Sequence, residues 1–185
     1  ILNNLVLKET VVTDSLTQLK NSMFFRNRMS ELCQKSNQVQ LVLFDVDFFK
    51  KINDTYGHLG GDAVLIQIGA TLKAIQHKYN LKNGTEPNNY ITSARVGGEE
   101  FAILIPEQSK EFAYEFAEDL RSTIEKIVVE YQALEIRFTI SLGLSAWTNA
   151  IEPTEANIKN FYKTADDNLY VSKKSGRNRT SSSAA

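Results

Sequence analysis

Two adjacent glycines, Gly97 and Gly98, interrupt a run that otherwise favours extended chain. Tyr90, Ile91 and Val96 precede them, and Phe101, Ile103, Leu104 and Ile105 follow. A Gly-Gly pair between two β-prone runs predicts a hairpin, because glycine supplies φ > 0 without steric cost. The stretch 95–102 (RVGGEEFA) then places Glu99 and Glu100 on a tip with no side chains to keep a ligand away. Successive strand residues point to opposite faces, so at most one of the two glutamates faces a given partner. Taken alone, such a tip reads more readily as a solvated hairpin with acidic gatekeepers.

A second stretch changes that balance. Residues 39–45 (VQLVLFD) form a short, nearly continuous apolar run, which predicts a central strand buried on both faces. It ends in Asp45-Val46-Asp47, and aspartates two apart on an extended segment share one face. If this strand lies beside the hairpin, Asp45 and one of Glu99 or Glu100 face each other. Two hard carboxylates so placed repel unless a cation joins them, and Mg²⁺ suits one or two carboxylates plus a backbone carbonyl, water and phosphate. The glycine tip admits a triphosphate, and Lys50 offers a counter-charge. Phosphoryl or nucleotidyl transfer is the natural chemistry of that equipment.

The remaining segments alternate in a way that fits a single domain. A helix is predicted from the turn at residues 14–17 to about Gln34, with Asp14 or Thr17 as N-cap and Leu19, Phe24, Phe25, Met29, Leu32 and Cys33 as its apolar face. Residues 48–54 read as one or two helical turns, broken at residues 56–58 and again at Gly60-Gly61. Asp62 then opens an amphipathic helix with Val64, Leu65, Ile68, Leu72 and Ile75 inward. Residues 77–89 read as a polar surface loop, 110–130 as a helix, 136–147 as a strand in which Gly143 marks a bulge or close approach, and 154–172 as a last helix. Trp147, Phe161 and Tyr170 are expected in the core. The order predicts an α+β sandwich, a mostly antiparallel central sheet flanked by helices.

Composition narrows the function. With 185 residues, 42% of them hydrophobic, the chain can bury a real core and has no run long enough to cross a bilayer. A net charge of −1 gives no general field for nucleic acid or anionic membrane, so neither is an expected partner. The single cysteine excludes an internal disulfide and fits a reducing, cytoplasmic setting, with Cys33 a small buried hydrophobe. The start at Ile1 suggests excision from a longer protein, and the terminal SSSAA need not be native.

The motifs DVDFFKKINDTYGHLGGD (45–62) and RVGGEEF (95–101) resemble the GGDEF domain of diguanylate cyclases in its GGEEF form. DSLTQLKN (14–21), TISLGLS (139–145) and ADDNLYVSKKSGRN (165–178) extend the resemblance over residues 14–178. It implies a palm-like nucleotide-cyclase fold and an enzyme that joins two GTP molecules into cyclic di-GMP with release of two pyrophosphates. Two such domains face each other in a homodimer, each holding one GTP. By the same resemblance, Asp45, the backbone carbonyl of Val46 and Glu99 bind Mg²⁺ or Mn²⁺. Glu99 also assists deprotonation of the ribose 3′-hydroxyl, with Glu100 in support. Asn53 and Asp62 read guanine, His58 lies near the nucleotide, Gly97 and Gly98 line it, and Lys50, Lys173 and Arg177 hold phosphates. Asp62 is chemically apt, since a carboxylate accepts from guanine N1–H and N2–H₂. Lys173 and Arg177, one helical turn apart, are expected to point the same way. Asp47 receives no role.

The implied organisation is the end of an N-terminal linker or signalling helix at 1–13, the cyclase domain at 14–178 and a disordered tail at 179–185. A sensor or regulatory module on the N-terminal side completes it, and a cytoplasmic site is expected even if the whole protein is membrane-anchored. Two departures stand out. Asn88 and Ile91 occupy the positions of the family's inhibitory Arg-x-x-Asp pair, so feedback through that site is expected to be absent or weak. Gln18 and Ser22 replace the glycine and arginine of the family's first motif, which bears on signal coupling rather than chemistry. Beside the active cyclase stand two other hypotheses, a non-catalytic GTP-binding or regulatory module and a cyclase acting on one nucleotide.

Overall fold

The computed structural model describes residues 12–82 and 90–183. Its elements are α1 (Ser22–Lys35), β1 (Gln38–Val46), α2 (Phe49–Lys82), β2 (Thr92–Arg95), β3 (Glu100–Pro106), α3 (Lys110–Lys126), β4 (Val129–Tyr131), β5 (Leu134–Ile136), β6 (Ile140–Thr148), α4 (Glu155–Lys174) and β7 (Thr180–Ser182). The main sheet runs β2-β3-β1-β6-β7, with every pairing antiparallel except β6 with β7. This is the expected α+β sandwich, and β1 is its middle strand.

Burial on both faces explains why β1 lacks polar alternation. Val42, Phe44 and Val46 pack under α2 and α3 with Val64, Leu65, Ile68, Phe116 and Leu120. Val39, Leu41 and Leu43 pack under α1 and α4 with Phe25, Leu32, Trp147, Phe161 and Ala165. Asp45 continues the second series, so it lies on the face covered by α4. The register is pinned one residue earlier, where Phe44 stacks on its cross-strand partner Phe101 with centroids 4.9 Å apart.

Helix α4 can approach this face because β6 carries Gly143. A Cβ there would stand 2.1 Å from the Leu169 nitrogen and 2.2 Å from the Ala165 oxygen, both backbone atoms that cannot step aside. Close approach, not a bulge, is its reason. Two side chains of α4 donate hydrogen bonds to the sheet backbone beside it: Ser172 Oγ to Leu142 O and Asn168 Nδ2 to Leu144 O, each at 2.6 Å.

Several boundaries differ from expectation. Helix α1 starts at Ser22, capped by Asn21, whose side chain accepts from Phe24 N–H. Asp14 and Thr17 cap no helix; Asp14 Oδ1 accepts from both the N–H and the hydroxyl of Thr17 and closes a turn. In α2 the break falls at Gly57 alone (φ 76°), while Gly60 and Gly61 are helical. Helix α2 also runs through residues 77–82, because Tyr79, buried, extends the Leu72-Ile75 stripe into a segment that looks polar. Helix α3 stops at Lys126, and a β4–β5 hairpin occupies residues 129–136, so Ile136 belongs to that hairpin rather than to β6. Tyr170 is 60% exposed, its ring beneath the Lys174 ammonium. Of residues 179–185, Thr180–Ser182 pair with β6. Cys33 is buried, which pushes its thiol up to about 12.

The β2–β3 tip is braced to the N-terminal turn. Arg95 donates to Gly98 O from Nε (3.0 Å) and Nη2 (2.8 Å), and its Nη1 lies 3.4 Å from both carboxylate oxygens of Asp14. Burial alone would raise the Asp14 carboxyl; the two Thr17 hydrogen bonds and the Arg95 guanidinium outweigh it and hold the group below its ordinary 3.8.

Two outcomes are expected. Gly143→Ala should cost about 1–3 kcal/mol or more by overpacking, measured by urea unfolding. For Asp14, whose folded value is depressed, the stabilisation is fully present above 3.8 and is lost as pH falls through the folded value. The stability gap between wild type and Asp14→Asn should therefore hold from neutral pH down to about pH 5 and close in acid, read from unfolding midpoints at stepped pH.

Candidate active site

The carboxyl end of β1 and the β2–β3 tip meet. Asp45 is the register partner of Glu100, and Val46 N–H donates to Glu99 O at 3.4 Å. Register alone puts Glu100 on the same face as Asp45, but Glu99 lies in the bend just before β3 and is not held to that alternation. Glu99 is half-buried and lies within the field of Asp45: burial, then the negative charge of Asp45, push its carboxyl above the ordinary 4.5, against the opposing pull of Lys173. Glu100 is exposed and folds back over Gly97, its Oε2 2.2 Å from where a Cβ on that glycine would stand. At Gly98 a Cβ would meet nothing within 4 Å. Gly97 makes room for Glu100, and Gly98 leaves the approach to Glu99 open. Neither takes the left-handed conformation expected of a glycine hairpin.

The side chain of Asp45 is only 9% exposed, and Lys173 Nζ donates to its Oδ2 at 2.7 Å. Burial pushes its carboxyl up, with Lys173 pulling the other way. The ammonium thus pairs with the buried Asp45 and offsets half-buried Glu99 only through its field. This donor set is short of positive charge and consists of hard oxygens, so it fits a divalent cation such as Mg²⁺. Among the described residues, no group of three His, Cys, Asp or Glu side chains forms a metal cluster; the fit rests on two carboxylates and the Val46 carbonyl.

Lys173 and Arg177 do converge, but not through helical spacing. Helix α4 ends at Lys174, and the chain reverses through Gly176 (φ 116°), Arg177 (φ 64°) and Asn178 (φ 45°). That reversal brings Arg177 Nε to 4.0 Å from Asp47 Oδ1 and its guanidinium carbon to 4.2 Å from the Phe48 ring centre. On α2, Asn53 lies against Gly61, its Oδ1 2.0 Å from a Cβ position there, and so next to Asp62 in the following turn. A helical glycine at 61 therefore seats Asn53 on the far side of the Gly57 break. Lys50 and His58 are exposed and carry no hydrogen bond or ion pair among the described residues. Ile91 is buried and its N–H donates to Asn80 Oδ1; Asn88 lies outside the described residues.

Sequence reasoning passed over Arg95, Thr139, Ser141 and Asn178. Thr139 and Ser141 donate to Asp47 from the start of β6, and their spacing of two was the only cue. Nothing in the sequence distinguished Asn178 from its basic neighbours. A cleft of about 440 Å³, lined in part by Asp47, Phe48, Tyr56 and Phe138, opens behind these groups.

Comparison with known proteins places this arrangement. The family model described as "Diguanylate cyclase, GGDEF domain" matches residues 11–179. Diguanylate cyclase A of Treponema denticola is 34% identical over 96% of this chain and 46% of its own length. Diguanylate cyclase VdcA of Vibrio cholerae is 36% identical over 90% of this chain and 45% of its own. The crystal structure of diguanylate cyclase SiaD from Pseudomonas aeruginosa, in complex with its activator SiaC, superposes with a TM-score of 0.81 at 30% identity, covering 98% of this chain and 65% of that one. The chain thus spans about half the length of these curated relatives. By fold, motif order and extent of match, the chain belongs to the GGDEF domain family of diguanylate cyclases.

Proposed function

We propose that the chain is an active diguanylate cyclase domain that condenses two GTP into cyclic di-GMP and two pyrophosphates. The observation that carries this is the pairing of Asp45 and Glu99, two carboxyls raised by burial in a corner with an open glycine approach. Asp45, Glu99 and the Val46 carbonyl would hold Mg²⁺, which when bound supplies charge neutralisation at the phosphates and acidifies the attacking hydroxyl. Glu99 takes the proton from the ribose 3′-hydroxyl; the 3′-oxygen then forms a bond to the α-phosphorus of the partner's GTP, and pyrophosphate leaves. Glu100, folded over Gly97, supports the tip. Lys173, Arg177 and Lys50 hold the phosphates, Asn53 and Asp62 read guanine, and His58 lines the nucleotide.

One set of such groups serves one nucleotide, so a second copy supplies the other GTP. The homodimer, and an N-terminal sensor module that promotes it, belong to the same proposal, as do an intracellular setting and weak feedback at residues 88–91. A non-catalytic GTP-binding role is the second reading; retention of Asp45 and both glutamates speaks against it.

Incubation with GTP and Mg²⁺, with products resolved by chromatography, tests the assignment. Cyclic di-GMP is expected; unchanged GTP would favour the binding module, and cyclic GMP a one-nucleotide cyclase. Rate per volume should climb more steeply than linearly with protein concentration if the domain is monomeric at rest. Glu99→Gln should reduce turnover by at least about 100-fold. Because its folded carboxyl lies above 4.5, the stability that protonated Glu99 contributes is present in acid and lost as pH rises through the folded value. Removing the charge should therefore leave the metal-free melting temperature at pH 7 unchanged or higher, and a variant that melts lower would be uninterpretable as a catalytic lesion.

A further inference from the structure

The proposed chemistry gives Asp47 nothing to do, yet its carboxylate is the most enclosed in this corner, with a side chain 1% exposed. Burying a carboxylate is costly unless donors surround it. Here Ser141 Oγ donates to Oδ1 at 2.7 Å, and Thr139 Oγ1 and the Asn178 backbone N–H donate to Oδ2 at 2.7 and 3.0 Å. The Asn178 side chain is fixed from the other side: its Nδ2 donates to Glu125 Oε1 at 2.8 Å, and its Oδ1 accepts from Arg121 Nη1 at 2.9 Å. Between these anchors the chain passes through Arg177 and Asn178, both left-handed. Non-glycine residues in that region are strained, Arg177 more than Asn178, and persist where their surroundings over-determine them.

We infer that Asp47 is a positioning residue, a clamp on the 176–178 turn that holds Arg177 at the site, and not a metal ligand. Its Oδ2 is already shared by two donors, and its Oδ1 faces one donor with Arg177 Nε 4.0 Å away. The turn presents Arg177 over the Phe48 ring, which itself is 60% exposed and left-handed (φ 56°). A guanidinium seated on an aromatic face keeps its N–H edges free for phosphate oxygens. The function of the clamp rests on the assignment of Arg177 to phosphate in the cyclase reading above.

The experiment compares binding of GTP with Mg²⁺ and binding of guanosine alone, by calorimetry, across four variants. Asp47→Asn, Asn178→Ala and Arg177→Ala should each weaken GTP about tenfold, the value of one charge-assisted contact, and leave guanosine unchanged. Asn178→Ala keeps Asp47 intact, so it serves if Asp47→Asn folds poorly. Because Asp47 acts through Arg177, the double variant Asp47→Asn/Arg177→Ala should bind GTP no more weakly than Arg177→Ala. Unchanged GTP affinity in Asp47→Asn and Asn178→Ala, additive losses in the double variant, or equal losses for GTP and guanosine would overturn the clamp while the cyclase reading stands. Failure of the wild type to bind GTP would overturn that reading, and the clamp's function with it.

Discussion

A buried carboxylate and a half-buried one stand at the corner where the end of β1 meets the β2–β3 tip, and much of the fold exists to keep them there. Asp45 reaches its place because β1 is paired on both sides, by β3 and by β6, through the residue itself. A slip of one residue would exchange the two buried faces and send the carboxylate under α2 and α3. The Phe44–Phe101 stack opposes such a slip immediately beside the carboxylates. The opposing glutamate is placed by a tip that cannot swing freely, since Arg95 ties Gly98 O to Asp14. Repulsion between Asp45 and Glu99 is thus offset by packing elsewhere, and in the proposed reading it is what would favour a cation there.

Lys173 moderates that repulsion without abolishing it. Its ammonium is one charge for two carboxylates, placed by the last turn of α4, where a cation also suits the helix dipole. The reach of α4 depends in turn on Gly143, which lets the helix lie against β6 with backbone atoms closer than any Cβ would permit. An absent methyl in the middle of a strand therefore bears on the electrostatics at its end.

The sequence made legible what depends on pattern along the chain. The unbroken run at 39–45 predicts a strand buried on both faces, the Gly-Gly pair predicts the hairpin, and their acidic residues predict the site. What depends on tertiary partners was not legible. Residues 77–82 look polar, but one buried tyrosine keeps them helical. The β4–β5 hairpin pairs only three residues a side and lacks the glycine or asparagine that marks a tight turn; Gln132 and Ala133 take positive φ instead. Arg177 was placed by helical spacing, whereas a left-handed reversal delivers it to nearly the same neighbourhood. Strand alternation could not tell Glu99 from Glu100, because Glu99 lies in the bend before β3 while Glu100, register partner of Asp45, folds over the space that Gly97 yields.

In the cyclase reading proposed above, one domain is half a machine. Among the described residues, the groups proposed for the nucleotide form one set: one carboxylate pair, one pair of base-reading side chains across the Gly57 break, and the cations Lys50 on α2 and Lys173 and Arg177 at and beyond the end of α4. The assigned groups account for a single triphosphate, with open space at Gly98 beside Glu99 for whatever approaches from solution. A hydroxyl on one nucleotide can meet the α-phosphate of another only if a second such corner is brought to this opening. A net charge of −1 supplies no long-range attraction between copies. In the same proposed reading, encounter depends on how copies are brought together, and the turn at residues 14–20, tied by Asp14 and Arg95 to the acidic tip, joins the N-terminal side of the domain to the site.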